Sequence, residues 1–118
     1  MKCTLVVGAS TNPNRYANKA ARALLEKGHE IMLHGLNTGE IAGQKIYIEF
    51  PFFDCHTVTM YVGPRNQHDM YNDIIKLKPK RVIFNPGTEN PEFYKLLEKN
   101  NIKYLEACTL VLLSLNSY

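Results

Sequence analysis

A short apolar run that ends in a glycine constrains the fold of this chain more than any other feature. The run LVV at positions 5–7 predicts a buried strand, and Gly8 ends it. Asn12 followed by Pro13 then predicts the start of a helix, because asparagine caps helices and proline suits the first helical position. Alanines at positions 17, 20 and 21 and a leucine at 24 form one narrow stripe, so this helix can pack closely against a sheet. The stretch predicts the first strand–turn–helix unit of an α/β fold.

Strand and helix patterns continue to alternate along the rest of the chain. Strands are predicted over residues 3–7, 30–33, 45–48, 57–62, 81–84 and 103–105, and helices over residues 13–27, 66–76, 91–99 and 107–115. The last helix carries Thr, Leu and Val, which would suit a strand as well. Such alternation implies a parallel sheet covered by helices on both faces. The prediction is a single domain over residues 1–118, a Rossmann-like three-layer α/β sandwich whose parallel sheet has about five strands.

Open parallel sheets bind ligands beyond the carboxyl ends of their strands, and this rule selects the candidate site. It points to the segments that follow the first, second, third and fourth main strands. The candidate cofactor-binding residues in and beside these segments are Gly8, Ala9, Ser10, Thr11, Asn12, Arg15, His34, Gly35, Val62, Gly63, Pro64, Arg65, Asn85, Pro86 and Gly87.

The turn after the first strand is a candidate phosphate site. A helix N-terminus offers free N–H groups and the positive end of the helix dipole, so it attracts anions. Gly8 permits a tight turn, and the hydroxyls of Ser10 and Thr11 could donate to a phosphate. The nicotinamide fingerprint G-x-G-x-x-G fails here, because Ser10 and Pro13 stand at its second and third glycines. An ordinary turn held by serine and threonine side chains is the alternative.

The end of the second strand argues against NAD. An NAD-binding fold places a carboxylate there for the ribose hydroxyls, whereas this chain has His34 and Gly35, with Glu40 further along the loop. Because a histidine can carry a positive charge, the position tolerates or attracts phosphate. A solvated loop residue is the alternative for His34.

Cationic side chains and a shaped loop add to the candidate site. Arg15, Lys19 and Arg65 could surround a polyphosphate, with an ordinary exposed surface as the alternative. The stretch FNPGTENP at positions 84–91 places a turn directly after a strand and a capped helix directly after the turn. Glu89 within it is either a capping group or a ligand contact.

Charge and composition exclude several classes of function. A net charge of +3 and an isoelectric point near 8.8 suit an anionic ligand but are too weak and dispersed for nucleic acid. The apolar stretches are too short to cross a bilayer, and the first residues do not predict a signal peptide. Three widely spaced cysteines predict a reduced, cytoplasmic protein without disulfides or a zinc site. We therefore expect no nucleic-acid partner, no membrane association and no metal.

Catalytic motifs are missing from the sequence. Cys108 would act as a nucleophile only with a histidine beside it, and a small buried thiol is the alternative. The sequence has no G-x-S-x-G, no H-E-x-x-H and no Walker lysine. We therefore expect no catalytic residues and no enzymatic activity.

Five stretches together resemble a known family. In order they are VVGASTNPNRYANKAARALLEKGHEI, GEIAGQKIY, TVTMYVGP, LKPKRVIFNPGTENPE and EACTLVLL. They resemble the small stand-alone CoA-binding domain proteins, relatives of the CoA-binding domain of succinyl-CoA synthetase, over nearly the whole chain. The resemblance implies a Rossmann-like fold that holds coenzyme A. It places the pyrophosphate at residues 8–11 and the adenosine end near the loops after strands two and three, with residues 85–87 bordering the ligand.

Two departures from the family qualify what the resemblance implies. Many relatives end the second strand with a V-x-P-V-N-P-like sequence, whereas this chain has MLHGLN at positions 32–37. The synthetases also work with an active-site histidine and a second subunit, neither of which this sequence encodes, so their activity does not carry over.

Three functions follow as hypotheses. The leading one is a module that binds CoA or an acyl-CoA without catalysis. The alternative is an NAD(P)-dependent oxidoreductase or another nucleotide-using enzyme. The third is an interaction protein whose Rossmann-like shell has lost its ligand. The acyl group and any protein partner stay open.

Overall fold

The computed structural model describes residues 2–118. Two short 3₁₀ helices, Pro64–Asn66 and His68–Met70, precede α2. The strands and helices in chain order are β1 (Thr4–Val7), α1 (Tyr16–Glu26), β2 (Ile31–His34), β3 (Gly39–Ile41), β4 (Gln44–Tyr47), β5 (Thr57–Met60), α2 (Tyr71–Leu77), β6 (Arg81–Phe84), α3 (Pro91–Lys99), β7 (Lys103–Glu106) and α4 (Thr109–Ser114).

The strands form one sheet in the order β3–β4–β2–β1–β5–β6–β7. β1 lies at its centre, with Thr4 level with Ile31 of β2 on one side and Thr57 of β5 on the other. Neighbouring strands are parallel except in the β3–β4 hairpin. The predicted Rossmann-like α/β fold is therefore confirmed. The sheet is wider than five strands because β4 and its hairpin partner β3 extend it beyond β2.

Each face of the sheet has its own apolar core. Leu5 and Val7 of β1 point to the face covered by α2 and α3, whereas Val6 points to the face covered by α1 and α4. All four residues of β1 are buried, and so are all four of β5. Central strands of a parallel sheet are covered on both sides, which is why these segments read as continuous apolar or β-branched runs.

The connection from β4 to β5 contains no helix. Phe50, Phe53 and Cys55 from this segment pack into the core on the α2–α3 side, where a crossover helix would otherwise lie. Phe52 stays half exposed, with the Lys76 ammonium 5.2 Å from its ring centroid. An irregular aromatic segment thus covers this part of the sheet.

The start of α1 differs from the prediction. The helix begins at Tyr16 with Arg15 at the N-cap position, not at Pro13 with Asn12 as the cap. The Asn12 side chain instead accepts from the main-chain N–H of Asn14 (2.9 Å), and its carbonyl oxygen accepts from the N–H of Arg15 (3.0 Å). The asparagine closes a turn on its own backbone, which uses the oxygen that would have capped the helix.

The other helix predictions have mixed outcomes. Asn90 does cap α3, because its side-chain oxygen accepts from the N–H of Phe93 at 3.2 Å, and the helix starts at Pro91 as predicted. The segment after β7 is helical. The helix predicted from residue 66 is wrong over its first turn, since two 3₁₀ helices flank Gln67 and α2 begins at Tyr71.

The amino edge of the sheet is closed by a cluster around Tyr118. Its hydroxyl lies 2.6 Å from the Thr4 hydroxyl, and its ring lies 4.6 Å from the Arg81 guanidinium carbon. Burial, together with the positive charges of Lys2 and Arg81, lowers the pKa of His29 and His56. Both imidazole rings therefore stay neutral to a lower pH in the folded protein than in the unfolded chain.

We expect stability to fall as the pH drops from about 7.5 to about 5. Because folding lowers the pKa of these histidines, the unfolded chain binds protons first as the pH falls through roughly 6.5, and stability present above that value is lost below it. Urea denaturation at both pH values should show a smaller loss in His56→Gln than in the wild type. His68→Gln, whose side chain is 75% exposed, should keep the wild-type loss. Identical losses in all three proteins would contradict this explanation.

Candidate functional site

The candidate site lies at the carboxyl edge of the sheet, beside the central strands β1 and β5. From β1 the chain continues to β2 on one side and later returns to β5 on the other, which makes the β1–β5 boundary the topological switch point. The predicted segments 8–12, 34–35, 62–65 and 85–87 lie at or after the ends of strands at this edge, and Arg15 is the N-cap residue of α1. Rossmann-like sheets bind their ligands at such a point.

The turn after β1 is anchored to the end of β2. The main-chain N–H groups of Gly8 and Ala9 both donate to the carbonyl oxygen of His34, each at 2.9 Å. These two amides are therefore used within the protein. The Ser10 hydroxyl oxygen accepts from the N–H of Asn12 (3.1 Å), which leaves its O–H as a donor. No side chain caps the N-terminus of α1, so its first turn keeps donors for an anion.

Two glycines after β2 let this turn pack against the sheet edge. A Cβ at Gly35 would collide with the carbonyl oxygen of Ala9, and a Cβ at Gly39 would lie 2.5 Å from the Thr11 methyl carbon. Gly35 was predicted as a ligand contact, and its visible role is to make room for the turn. Gly39 was not predicted, because nothing local to it indicates that Thr11 packs there.

Gly8 meets the residues that follow β5. It has a φ of +96°, and a Cβ there would lie 2.9 Å from a Val62 methyl carbon and 3.1 Å from the Tyr61 carbonyl oxygen. Glycine is therefore required at position 8 by backbone conformation and by packing. The two loops on either side of the switch point are in direct contact.

Asn18 holds the turn from the helix side and was missed by the sequence reasoning. Its side chain is 1% exposed, and its Nδ2 donates to the Ser10 carbonyl oxygen at 2.8 Å. Within residues 2–118, no group donates to its Oδ1, which is buried. The available signal was an asparagine beside the apolar stripe in the first turn of a helix, where it replaces an ordinary helix-forming residue.

His34 has a defined orientation beside an aromatic surface. Its Nδ1 lies 2.9 Å from the carbonyl oxygen of Tyr47, which also accepts from the N–H of Gly35 at 3.1 Å. The ring meets Phe50 edge-on, with centroids 5.3 Å apart. His34 is only partly buried, so its other ring nitrogen is the one left for solvent or a ligand. Glu40 is exposed.

The loop after β5 presents an open backbone. Gly63 has an ordinary φ of −62°, and a Cβ there would meet nothing within 4 Å. Pro64 and Arg65 are exposed, as is Arg15 at the start of α1. The Lys19 ammonium lies 5.3 Å from the ring centroid of Tyr16, as a lysine on an ordinary exposed helix surface can.

Both polar atoms of the Asn85 side-chain amide form hydrogen bonds that hold the carboxyl edge of the sheet together. Its Nδ2 donates to the Thr59 hydroxyl and to the Met60 carbonyl oxygen, and its Oδ1 accepts from the N–H of Thr109, each at 2.8 Å. Pro86 and Gly87 are exposed beyond it. The Glu89 carboxylate accepts from the N–H of Gly87 at 2.9 Å and so closes this loop, whereas the cap of α3 is Asn90.

Within residues 2–118, no hydrogen bond joins a cysteine thiol to a histidine ring. The Nδ1 atoms of His29, His34 and His56 bond to main-chain groups or to the Thr57 hydroxyl. Cys108 is partly buried, and burial raises the pKa of the Cys55 thiol to about 12. In the described range, no three His, Cys, Asp or Glu side chains are placed to hold a metal ion. None of the helices described is long and apolar enough to span a bilayer.

These features define the class as a Rossmann-like α/β domain with its candidate ligand edge at the β1–β5 switch point. The chain belongs to the CoA-binding domain family, whose model matches residues 2–114. Among curated proteins, none matches the chain.

Solved structures share the fold of this chain. An uncharacterised protein solved by crystallography is 48% identical, with a TM-score of 0.97 over 100% of this chain and 98% of that one. A conserved hypothetical protein from Pyrococcus furiosus is 31% identical, with a TM-score of 0.82 over 94% of this chain and 98% of that one. A dinucleotide-forming acetyl-coenzyme A synthetase from Ca. Korarchaeum cryptofilum shares the fold at 18% identity, with a TM-score of 0.74 over 92% of this chain and 26% of that one.

Proposed function

We propose that the protein binds coenzyme A or an acyl-CoA at the carboxyl edge of the sheet and does so without catalysing a reaction. Family membership over residues 2–114 carries the ligand class. The acyl group stays open.

The pyrophosphate is assigned to the turn after β1. The helix that follows has no side-chain cap, and Ser10 keeps a hydroxyl donor. Because the Gly8 and Ala9 amides bond to His34, the donors in this proposal are those from Ser10 onward, not the glycine amide itself. Asn18 beneath the turn holds the Ser10 carbonyl group away from the ligand side. An anion at this place meets N–H groups and the positive end of the helix dipole.

The end of β2 favours CoA over NAD. No carboxylate stands where an NAD-binding fold uses one for the ribose hydroxyls, and His34 is held there by Tyr47. Arg15 and Arg65 are exposed at the same edge, where they can attract the ribose phosphate of CoA. Coenzyme A has a ribose phosphate that NAD lacks, and the site offers hydrogen-bond donors and cationic side chains to such anionic groups.

Titration calorimetry should give a dissociation constant for CoA at least about tenfold lower than for NAD, a difference of roughly 1.4 kcal/mol. Dephospho-CoA should lie between them if the exposed arginines recognise the ribose phosphate. Arg65→Ala should then bring CoA and dephospho-CoA closer together. Equal affinities for CoA and NAD would reject the assignment.

A purely binding role predicts no turnover. Acyl transfer to a cysteine needs a thiol hydrogen-bonded to an imidazole ring, and no such bond is present within residues 2–118. Incubation of the protein with acetyl-CoA, with or without ATP and common acceptors, should leave the thioester intact. Hydrolysis that disappears in Cys108→Ala would make Cys108 catalytic and contradict this part of the proposal.

A further inference from the structure

A fully buried glutamine connects two loops of the ligand edge. Gln67 is 0% exposed and lies between the two 3₁₀ helices after β5. Its Nε2 donates to the carbonyl oxygen of Val62 in the loop after β5 and to that of Thr88 in the loop after β6, both at 2.8 Å. One side-chain nitrogen therefore spans the two loops.

The rest of the amide is anchored to the start of α3. The Oε1 of Gln67 accepts from the Nδ2 of Asn90 at 3.0 Å, and the same Nδ2 donates to the Tyr71 hydroxyl at 2.8 Å. Asn90 is itself held by capping α3. Every polar atom of the Gln67 side chain is thus satisfied, and its position is set by groups on two further elements. A fully satisfied buried network of this kind is rigid.

A buried hydrogen-bond network can serve stability alone. The Gln67 network also lies between two loops of the ligand edge, which indicates a role in ligand binding. Within residues 2–118, no main-chain hydrogen bond joins the two loops: the N–H of Tyr61 donates to Val7 of β1, and the other bonds are local, as in Asn66 to Gly63 and Thr88 to Asn85. Asn85 ties the start of the loop after β6 to Thr59 and Met60 at the end of β5. Further along the two loops, the Gln67 amide links the segment that carries Val62 to Arg65 with Thr88, which follows Pro86 and Gly87. Those are the segments a ligand meets beyond β5 and β6.

We propose that Gln67 is a positioning residue: it sets the spacing of the loops after β5 and β6 and thereby the affinity for the CoA-type ligand. The inference rests on the proposed function. Gln67 does not touch the ligand, since it is wholly buried. Its effect comes through the carbonyl groups of Val62 and Thr88, which it holds turned inward.

The test compares Gln67→Met with a matched variant at the opposite edge of the sheet. Gln67→Met keeps the length of the side chain and removes its donors. Thr4→Val removes a buried hydroxyl that bonds to Tyr118 at 2.6 Å, at the amino edge. Both variants should unfold at lower urea concentration, because each leaves buried polar groups without a partner. Only Gln67→Met should weaken CoA binding, by about tenfold in calorimetry of the folded protein.

A second variant keeps the test decisive if Gln67→Met does not fold. Gln67→Asn retains a neutral amide but is one methylene group shorter, so it cannot reach Val62, Thr88 and Asn90 together and should also weaken CoA binding. Wild-type affinity in the folded Gln67 variants, or an equal loss in Thr4→Val, would overturn the role of Gln67 and leave the proposed function intact. A wild-type protein that does not bind CoA would refute the proposed function itself, before any variant is measured.

Discussion

Gly35→Ala is expected to abolish CoA binding and to lower the free energy of unfolding by about 1–3 kcal/mol. The added methyl group would meet the carbonyl oxygen of Ala9, and it would also lie 3.2 Å from a methyl carbon of Ile46. A carbonyl oxygen in a hydrogen-bonded turn cannot rotate aside as a flexible side chain can. The turn after β1 must therefore move away from the end of β2. That movement breaks the two bonds from Gly8 and Ala9 to His34.

Urea denaturation and calorimetry on the same preparations separate the two effects. Gly63→Ala is the control for stability, because position 63 has an ordinary φ and open space, and alanine there should leave stability unchanged or raise it by roughly 0.4–1 kcal/mol. A Gly35→Ala protein with wild-type stability and affinity would show that the turn after β1 is free to shift. In that case its bonds to His34 would not define the ligand edge.

Asn18→Asp is expected to cost several kcal/mol of stability at neutral pH and to remove CoA binding. The change deletes the donor that holds the Ser10 carbonyl group and buries a carboxylate at a position that is 1% exposed. The new negative charge would also lie beneath the turn assigned to the pyrophosphate. Burial raises the pKa of such a carboxyl group, so the loss of stability is greatest at high pH and shrinks as the pH falls toward about 4.

Asn14→Asp is the matched control, since it makes the same chemical change on the exposed side of the same turn. It should keep stability within about 0.5 kcal/mol of the wild type. Its effect on CoA affinity measures the charge alone, and Asn18→Asp should exceed it by at least about tenfold. Equal losses of affinity in the two variants would mean that Asn18 does not position the turn.

Two of the three Asn-Pro pairs were predicted to begin helices, and they show where sequence reasoning succeeds and where it fails. Asn90-Pro91 begins a helix as predicted, and Asn12-Pro13 does not. Asn90 is buried, and its Nδ2 bonds to Gln67 and Tyr71, which turns its oxygen toward the N–H of Phe93. Asn12 is exposed, and its oxygen closes on a neighbouring amide instead. The same local pattern has two outcomes because tertiary contacts orient one side chain and not the other.

The meeting of the candidate segments at one edge of the sheet could be predicted, whereas the contacts that support this edge could not. Strand order places the candidate segments at one edge, and the order follows from the alternation of strands and helices. Gly35 against Ala9 and Gln67 against Thr88 are contacts between residues more than 20 positions apart, so no local pattern encodes them. Asn85 was predicted to border a ligand, and its amide is bonded to Thr59, Met60 and Thr109. A polar residue at the end of a strand can hold neighbouring loops together, and a local sequence pattern does not distinguish this role from a ligand contact.

The central position of β1 has a consequence for synthesis on the ribosome. Thr4 pairs with Ile31 on one side but must wait for Thr57 on the other, so one edge of the earliest strand stays open until β5 has been translated and has left the exit tunnel. During that interval an apolar, β-branched edge is exposed to other nascent chains, and exposed edges of this kind recruit further strands. Ribosome stalling between β4 and β5 should therefore yield aggregation-prone chains, whereas stalling on a C-terminal extension that places β5, β6 and β7 outside the exit tunnel should not.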